Sequence, residues 1–317
     1  MSKKSLIFTV ISGIVVILVI SFIVIIPVIQ NKQSLTSSSS SLVIDNSKSS
    51  QNRISSSENK DMNSTISTAQ LYQYFTTNSQ NGESPLAEKS GASGERTTFA
   101  LINGELSPAI SDIEQAKIWT YFKAIASPQF VDLYLKQISF YNNPDDNSQA
   151  SVVLNDDGKL WSLEVNMGGL SNLAQRLETL VHEYYHIVSL NITQVIATDS
   201  CSTLKLSEGC TLPESPVYGF YKQFWESFGA DPSSDKFGQY YKDRENQFVT
   251  EYAGTNVIED FAETITYYTL RGTMSPSTAG QIAQDKLNFV AKSSFAATAQ
   301  GTQTRLGALL SETGVLK

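Results

Sequence analysis

Apolar and polar positions divide the chain into three parts. Residues 6–29 form an almost unbroken apolar run, residues 30–97 are polar and rich in serine, and residues 98–317 carry apolar residues at the spacings of strands and helices. We therefore predict a transmembrane helix, a flexible tether and one globular domain, preceded by a short cytoplasmic segment at residues 1–5.

The apolar run favours an uncleaved signal anchor, because a helix needs about 20 apolar residues to cross a bilayer. A cleaved signal peptide is the alternative. Its apolar region is about 7–15 residues long and ends at a small-residue cleavage site, whereas this run ends in IIPVIQNKQS. Lys3 and Lys4 precede the run and predict a cytoplasmic N-terminus. The chain is thus predicted to be a single-pass protein of the cell membrane with an extracytoplasmic domain.

The globular domain begins with strand patterns and continues mainly with helix patterns. Residues 111–126 have a serine N-cap and apolar residues at helical spacing, and FVDLYLKQISFYNN begins like a helix and ends like a strand. ASVVLNDDGKLWSLEVNM predicts a β-hairpin with strands at residues 152–154 and 160–165. This order of elements predicts an α+β fold.

Further helices are predicted in the second half of the domain. One begins near Ser171 and repeats its apolar residues at the rhythm of an amphipathic helix. YGFYKQFWESFG predicts a helix ended by Gly229, and TNVIEDFAETITYYTLRG predicts a helix with Arg271 in its last turn and Gly272 past its end. Residues 278–292 predict the last helix of the chain.

Net charge limits the classes of partner that the chain can bind, and the cysteines bear on the compartment in which it folds. The formal net charge of −8 argues against binding to nucleic acid or to anionic lipid. Cys201 and Cys210 lie close together in CSTLKLSEGC, which in an exported domain predicts a disulfide that closes a short loop. Zinc binding by the two thiols is the alternative.

Both histidines of the chain, His182 and His186, lie in ETLVHEYYHIVSL with Glu183 between them. Residues four apart face the same side of a helix, so both imidazoles can bind one zinc ion that the glutamate also faces. We therefore predict the two histidines as zinc ligands and Glu183 as the general base. The alternatives are a helix that carries this pattern by chance and a structural, non-catalytic zinc site.

A catalytic zinc site needs a third protein ligand, and with both histidines used a carboxylate is expected. The glutamates considered after His186 are Glu208, Glu214, Glu226, Glu245, Glu251, Glu259 and Glu263. Glu259 and Glu263 are the pair that lies four apart on one face of a strongly predicted helix. This favours Glu259 as the ligand and Glu263 as the group that orients a ligand histidine. The alternative for Glu259 is a capping box with Asn256.

Two segments resemble a known peptidase family. HEYYH, followed by a downstream helix with a glutamate and an acidic residue one turn later, is similar to the gluzincin peptidases. FVTEYAGTNVIEDFAETI is similar to the second active-site segment of the anthrax lethal factor and Pro-Pro endopeptidase group. Both segments also resemble exported bacterial proteins described as zinc-binding metallopeptidases. The resemblance covers residues 173–270.

The resemblance implies a zincin-like fold and a role for each matching residue. In the lethal factor group a tyrosine seven residues before the ligand glutamate stabilises the oxyanion. This implies that role for Tyr252, the ligand role for Glu259 and the orienting role for Glu263. A buried core aromatic is the alternative for Tyr252. His186 and Glu259 are farther apart in sequence than the group leads one to expect, and an insert at residues 187–250 accounts for the excess.

The family's fold also implies that LWSLEV is the edge strand that receives a peptide by strand addition. We therefore predict a membrane-anchored, extracytoplasmic endopeptidase that uses Zn²⁺ to hydrolyse proteins or peptides. Two alternatives stay open: a zinc amide hydrolase that acts on cell-wall peptides, and an inactive zincin-fold protein used for binding or adhesion.

Overall fold

The structure is a computed structural model that describes residues 66–79, 95–144, 148–169, 172–198, 200–229, 236–273 and 280–317. The chain divides into two units, Met1–Lys60 and Asp61–Lys317, and all described residues belong to the second. The predicted cytoplasmic segment and transmembrane anchor, residues 1–29, therefore lie outside the described residues. Within the described part of the chain, no helix is both long and apolar enough to cross a membrane.

A five-stranded mixed sheet forms one layer of the second unit. Its strands in chain order are β1 (Thr97–Ile102), β2 (Glu105–Ser107), β3 (Leu135–Tyr141), β4 (Ala150–Leu154) and β5 (Trp161–Asn166). The spatial order is β2-β1-β3-β5-β4, and every pair is antiparallel except β3 with β5. Two short strands, β6 (Val195–Ile196) and β7 (Cys210–Thr211), form a separate antiparallel pair.

The predicted hairpin forms, but the predicted edge strand is wrong. LWSLEV lies in β5, which pairs with β3 on one side and with β4 on the other. After β4 the chain turns back and β5 inserts between β3 and β4, so β4 becomes the outermost strand. The edge position of LWSLEV was implied by the family resemblance, and pairing on both sides of a strand has no local signal in the sequence.

Eight α-helices cover the sheet and one another in the described residues. They are α1 (Thr68–Asn78), α2 (Ile113–Ala126), α3 (Pro128–Tyr134), α4 (Leu173–Leu190), α5 (Pro216–Phe220), α6 (Val257–Arg271), α7 (Gln281–Lys292) and α8 (Phe295–Glu312). Helix α5 continues as a π-helical turn and a 3-10 turn, and this helical stretch stops at Gly229 as predicted. Gly229 adopts a left-handed backbone conformation there. The α+β prediction is confirmed.

Helix α7 is not the last helix, because α8 follows it after a two-residue break. The sequence of α8, FAATAQGTQTRLGALLSE, combines alanine and leucine, which are good helix formers, with threonine and glycine, which are not. Burial adds to this mixed propensity: Ala299, Thr302, Leu306 and Leu310 are almost wholly shielded from solvent. Packing therefore contributes to the helical conformation of this segment.

Helix α1 lies inside the segment that the sequence predicts to be a tether. A capping box between Ser67 and Gln70 starts the helix, and the side chains of Leu71 and Phe75 enter the main core. Helix α1 packs against α4, α6 and α8. The folded unit therefore includes residues upstream of its predicted start at residue 98, because two apolar side chains one turn apart suffice to anchor a helix on an existing core.

The main core lies between the sheet and helices α2, α4 and α6. Helix α4 packs on β4 and α2 with one side and on α6 with another, so most of its length is buried. Helix α6 is enclosed by α1, α4, α7 and α8. Two neighbouring buried helices, α4 and α6, thus carry the residues for which the sequence predicts chemistry.

Replacing Phe75 with alanine should destabilise the folded unit by about 3–5 kcal/mol, since the ring is completely buried and truncation of core aromatic residues has this cost. Urea denaturation of the full chain measures the free energy of unfolding. Gln73→Ala changes an exposed position of the same helix and should stay within about 0.5 kcal/mol of the parent. Equal effects of the two substitutions would contradict the packing of α1 on the core.

Candidate metal centre

Helix α4 brings the two histidines together. Asn172 starts this helix by accepting a hydrogen bond from the Gln175 backbone N–H at 3.0 Å. His182 and His186 follow one turn apart on the same side, and both side chains are buried. Their Nε2 atoms are 2.8 Å apart. Two unprotonated ring nitrogens repel each other at this distance, so the pair calls for a proton or a cation between them.

Helix α6 brings Glu259 to the same point. The Asn256 side chain accepts hydrogen bonds from the backbone N–H groups of Ile258 and Glu259, at 2.8 and 3.0 Å, and so starts the helix. Oε2 of Glu259 then lies 3.1 Å from Nε2 of His182 and 3.0 Å from Nε2 of His186. The carboxylate of Glu259 is therefore directed at the histidines.

His182, His186 and Glu259 together could hold a metal ion, because their ligand atoms all lie within 4.8 Å of one another. Tetrahedral zinc with Zn–N distances near 2.0–2.1 Å has ligand atoms about 3.3 Å apart, close to the separations in this triangle. Two imidazoles and one carboxylate are also a donor set that suits zinc. None of the other predicted glutamates belongs to this group, although all are described.

The carboxylate of Glu263 contacts Nδ1 of His182, the ring nitrogen that is not directed at His186 and Glu259. Its Oε1 lies 2.7 Å from Nδ1 of His182, and its Oε2 accepts a hydrogen bond from the Thr250 hydroxyl at 2.5 Å. A carboxylate at Nδ1 keeps the proton on that nitrogen and leaves Nε2 free to bind a cation. The position of Glu263 is the one that the sequence predicted for an orienting group.

The electrostatics of the cluster favour positive charge at its centre. Burial alone lowers the pKa of His182, but Glu259 and Glu263 outweigh it and raise that pKa from 6.5 to about 10. Burial raises the pKa of Glu259, yet the two histidines hold it well below the usual range of a glutamate. Without a metal the cluster therefore keeps a proton, and a divalent cation would take the place of that proton.

Glu183 and Tyr252 lie beside the triangle. Glu183 follows His182 on α4 and is buried. Tyr252 lies in the 3-10 turn just before α6, with its ring 5.7 Å from the ring of His182. Burial raises the pKa of its hydroxyl well above 10, and the negative charges of Glu259 and Glu183 raise it further. Tyr252 therefore keeps its proton and is a hydrogen-bond donor at this site.

Sequence reasoning missed two residues that support Tyr252 and Glu263. Thr250 donates to Glu263 and also accepts a hydrogen bond from the backbone N–H of Ala253 at 3.1 Å, which fixes the turn around Tyr252. A threonine that caps a turn three residues on is a recognisable local signal. The ring of Phe237 lies 5.6 Å from the ring of Tyr252, and no local signal could have placed it there, because the contact joins two distant loop segments.

The two cysteines lie apart from the metal group. Cys201 and Cys210 form a disulfide with a Cα–Cα distance of 5.5 Å, and Cys210 belongs to β7. Their sulfur atoms are thus bonded to each other, which leaves no thiolate for a zinc ion. The disulfide closes a loop inside the predicted insert at residues 187–250.

Removing the carboxylate of Glu259 should abolish stoichiometric zinc binding, because it removes one of three ligands. Glu263→Ala should retain zinc with about 10–100-fold weaker affinity, as expected when an orienting group is lost. Metal analysis and competition with a chelator measure both effects in the full chain. Glu251→Ala, an exposed glutamate outside the group, is the matched control, and unchanged zinc affinity in Glu259→Ala would contradict the assignment.

The metal-free chain should lose stability as the pH rises from 6.5 toward 10. His182 has its pKa raised to about 10 on folding, so the folded state keeps a proton that the unfolded state releases in this range. The stabilisation is complete below pH 6.5 and is lost as the pH rises through about 10. Thermal unfolding of the chelator-treated chain across this range measures the effect.

Glu263→Gln is the control for this pH dependence, because it keeps the shape of the side chain but removes one carboxylate that raises the pKa of His182. The decline in Tm with pH should be shallower in this variant. Parallel curves for the parent and the variant would contradict the role of His182.

No family model matches the chain, and searches of curated proteins and of solved structures gave no match. The resemblance to the gluzincins therefore rests on the residues of the two segments alone.

Proposed function

We propose that the chain is a membrane-anchored, extracytoplasmic zinc peptidase of the gluzincin type. The observation that carries this proposal is the triangle of His182, His186 and Glu259. The ring of Tyr252 lies 5.7 Å from the ring of His182, and its hydroxyl is within electrostatic range of Glu183 and Glu259. A structural zinc site would use its donors to enclose the ion. Here three donors are accompanied by one buried acid–base group, Glu183, and one partly buried hydrogen-bond donor, Tyr252, an arrangement that suits hydrolysis.

Zinc held by these ligands would act as a Lewis acid toward a substrate carbonyl and would lower the pKa of water toward neutrality. Glu183 would accept the proton that the attacking water loses and would deliver it to the nitrogen of the leaving amine. Its burial suits this role, because a carboxylate shielded from bulk water exchanges its proton with the bound reactants. In this proposal Glu183 ends the cycle in its starting protonation state.

Tyr252 would donate a hydrogen bond to the oxygen that gains negative charge during attack on the carbonyl. Its raised pKa keeps the hydroxyl protonated at neutral pH, as a donor must be. The negative charge of Glu259 also acts on this hydroxyl, so the oxygen of a bound substrate would compete with the ligand carboxylate for it. A preorganised donor of this kind accounts for a large share of the rate in other hydrolases.

Strand β4 supports an extended peptide as the substrate. It is the outermost strand of the sheet, and it packs on the helix that carries both histidines. Its outer edge has backbone N–H and C=O groups that pair with no other strand of the described chain, and a peptide can add to such an edge as a further strand. The peptide would lie along β4, and not along β5 as the family resemblance implied.

Two features support the extracytoplasmic location. Residues 6–29 have the length and composition of a membrane anchor, and the disulfide between Cys201 and Cys210 belongs to an oxidising compartment. The acidic net charge of the chain argues against nucleic acid as a partner.

Replacing Glu183 with glutamine should abolish peptide hydrolysis and leave zinc binding intact, because the amide cannot accept the proton. Tyr252→Phe should lower kcat by about 10²–10³-fold, the usual cost of one oxyanion donor, with zinc content unchanged. Cleavage of a peptide library, followed by mass spectrometry, measures both. Tyr241→Phe is the matched control on the neighbouring segment.

The same assay separates the alternatives. If the chain cleaves cell-wall peptide fragments but no member of the peptide library, it is a wall amide hydrolase and the peptidase proposal fails. If the zinc-loaded parent cleaves neither, it is a binding protein. Hydrolysis that survives in Glu183→Gln would contradict the mechanism.

A further inference from the structure

A buried ion pair joins the two ligand helices away from the metal triangle. The guanidinium of Arg271 on α6 donates two parallel hydrogen bonds to the carboxylate of Glu178 on α4, at 2.7 and 3.0 Å. Both side chains are largely shielded, with 10% and 16% of their surface exposed. This is the two-pronged geometry that makes arginine–carboxylate pairs directional as well as strong.

The pair lies on the same helix faces as the metal ligands. Glu178 precedes His182 by one turn of α4, and His186 follows by one more turn. On α6, Glu259 and Glu263 are followed along the same face by Tyr267 and then Arg271. The helices run antiparallel, because the contacts pair His186 with Glu259, His182 with Glu263 and Glu178 with Arg271. These three contacts follow one another along the interface between α4 and α6, and together they form a continuous row of polar contacts, the polar seam.

We propose that Arg271 and Glu178 position the zinc ligands, by fixing the register between α4 and α6 so that Glu259 reaches both histidines. This inference rests on the proposed metal site. The Arg271–Glu178 pair would determine the geometry of that site although neither residue is a ligand or contacts one directly. Arg271 acts through the two helices and contacts neither a ligand nor a substrate in this role.

A contact outside the metal triangle, the Arg271–Glu178 clamp, is needed because a small shift of one helix along the other changes the distances between the metal ligands. At the metal level the contacts depend on three side-chain atoms that must stay about 3 Å apart for one ion. A slide of α6 along α4 by about one residue, about 1.5 Å, would carry Glu259 out of that range. A single-point contact resists such sliding weakly, whereas two parallel hydrogen bonds from a rigid planar group fix both distance and direction.

The surroundings of Arg271 keep its fork in place. The ring of Tyr267 lies 5.2 Å beneath the guanidinium carbon, so the group is held against an aromatic face as well as by Glu178. Arg271 is also the last residue of α6, where a cation is favoured by the helix dipole. Glu263, whose carboxylate contacts Nδ1 of His182, lies within electrostatic range of Arg271. The charge of Arg271 therefore acts on a residue that contacts a metal ligand.

Zinc affinity of the full chain, measured by chelator competition well below the Tm, tests the inference. Arg271→Lys keeps the charge but loses the fork, and it should weaken zinc binding about 3–10-fold, less than loss of a direct partner of a ligand. Arg271→Met should weaken binding further. Visible spectra of the Co²⁺-loaded variants should differ from the parent spectrum, because the ligand geometry has changed.

A double-mutant cycle separates positioning from general stability. Glu178→Gln combined with Arg271→Met should bind zinc no more weakly than the worse single variant, since both remove the same clamp. Ile138→Ala makes a cavity in buried strand β3, away from the seam, and should lower the Tm without changing zinc affinity or the Co²⁺ spectrum.

Three outcomes would overturn the inference. Parent-like zinc affinity and Co²⁺ spectra in both Arg271 variants would show that the clamp does not position the ligands. Additive effects in the double variant would show that the two residues act separately. A parent chain that binds no zinc would overturn the proposed function and this inference with it, whereas a zinc-binding parent with unaffected Arg271 variants would overturn the inference alone.

Discussion

The packing of α4 on α6 is the interaction on which the rest of the structure depends. Each helix contributes only part of the candidate metal centre: His182 and His186 come from α4, and Glu259 comes from α6. Neither part has a use without the other, because two imidazoles that face each other, or one buried carboxylate, would only destabilise a core. The sheet and the remaining helices matter to the site chiefly because they hold these two helices side by side in a dry environment.

A buried ion pair behind the site joins α6 to α7. Asp260 follows Glu259 but faces away from it, where it lies 2.6 Å from the ammonium of Lys286 on α7 and accepts a hydrogen bond from the Trp225 indole at 2.7 Å. Burial raises the pKa of Asp260 and lowers that of Lys286, because both charges have lost water. The ring of Phe248 lies 4.0 Å from the ammonium. Such a pair contributes little net stability, but removing either partner leaves an unpaired buried charge, so it ties α6 to α7 and to the turn after α5.

The sequence was most informative where chemistry follows from local spacing. The histidine pair on one helical turn and the glutamate pair on another could be found because the period of a helix determines which residues share a face. Gly272 marked the end of α6 for a similar local reason. The α+β class followed from the order of such patterns.

Contacts between distant segments could not be found in this way. The insertion of β5 between β3 and β4, the docking of α1 through Phe75, and the pairing of Arg271 with Glu178 join residues far apart in the chain. Helix α8 was not predicted, although its alanines and leucines favour a helix, and its packing on α2 and α6 also joins residues far apart in the chain. The residues of the triangle were therefore predictable, whereas the residues that hold the triangle in place were not.

The docking of α1 also has a mechanical consequence. Its Tyr72 packs directly over Gly272, where a side chain would collide with the ring at 2.8 Å, and its hydroxyl accepts a hydrogen bond from Gln303 of α8 at 2.9 Å. Tension applied to the chain ahead of residue 66 would thus act first on α1 and then on the end of α6 that carries Arg271. The contact that would bear this tension, between Tyr72 and Gly272, lies at the opposite end of α6 from Glu259. A force on the N-terminal side would have to pass along the whole helix before it reached the candidate metal centre.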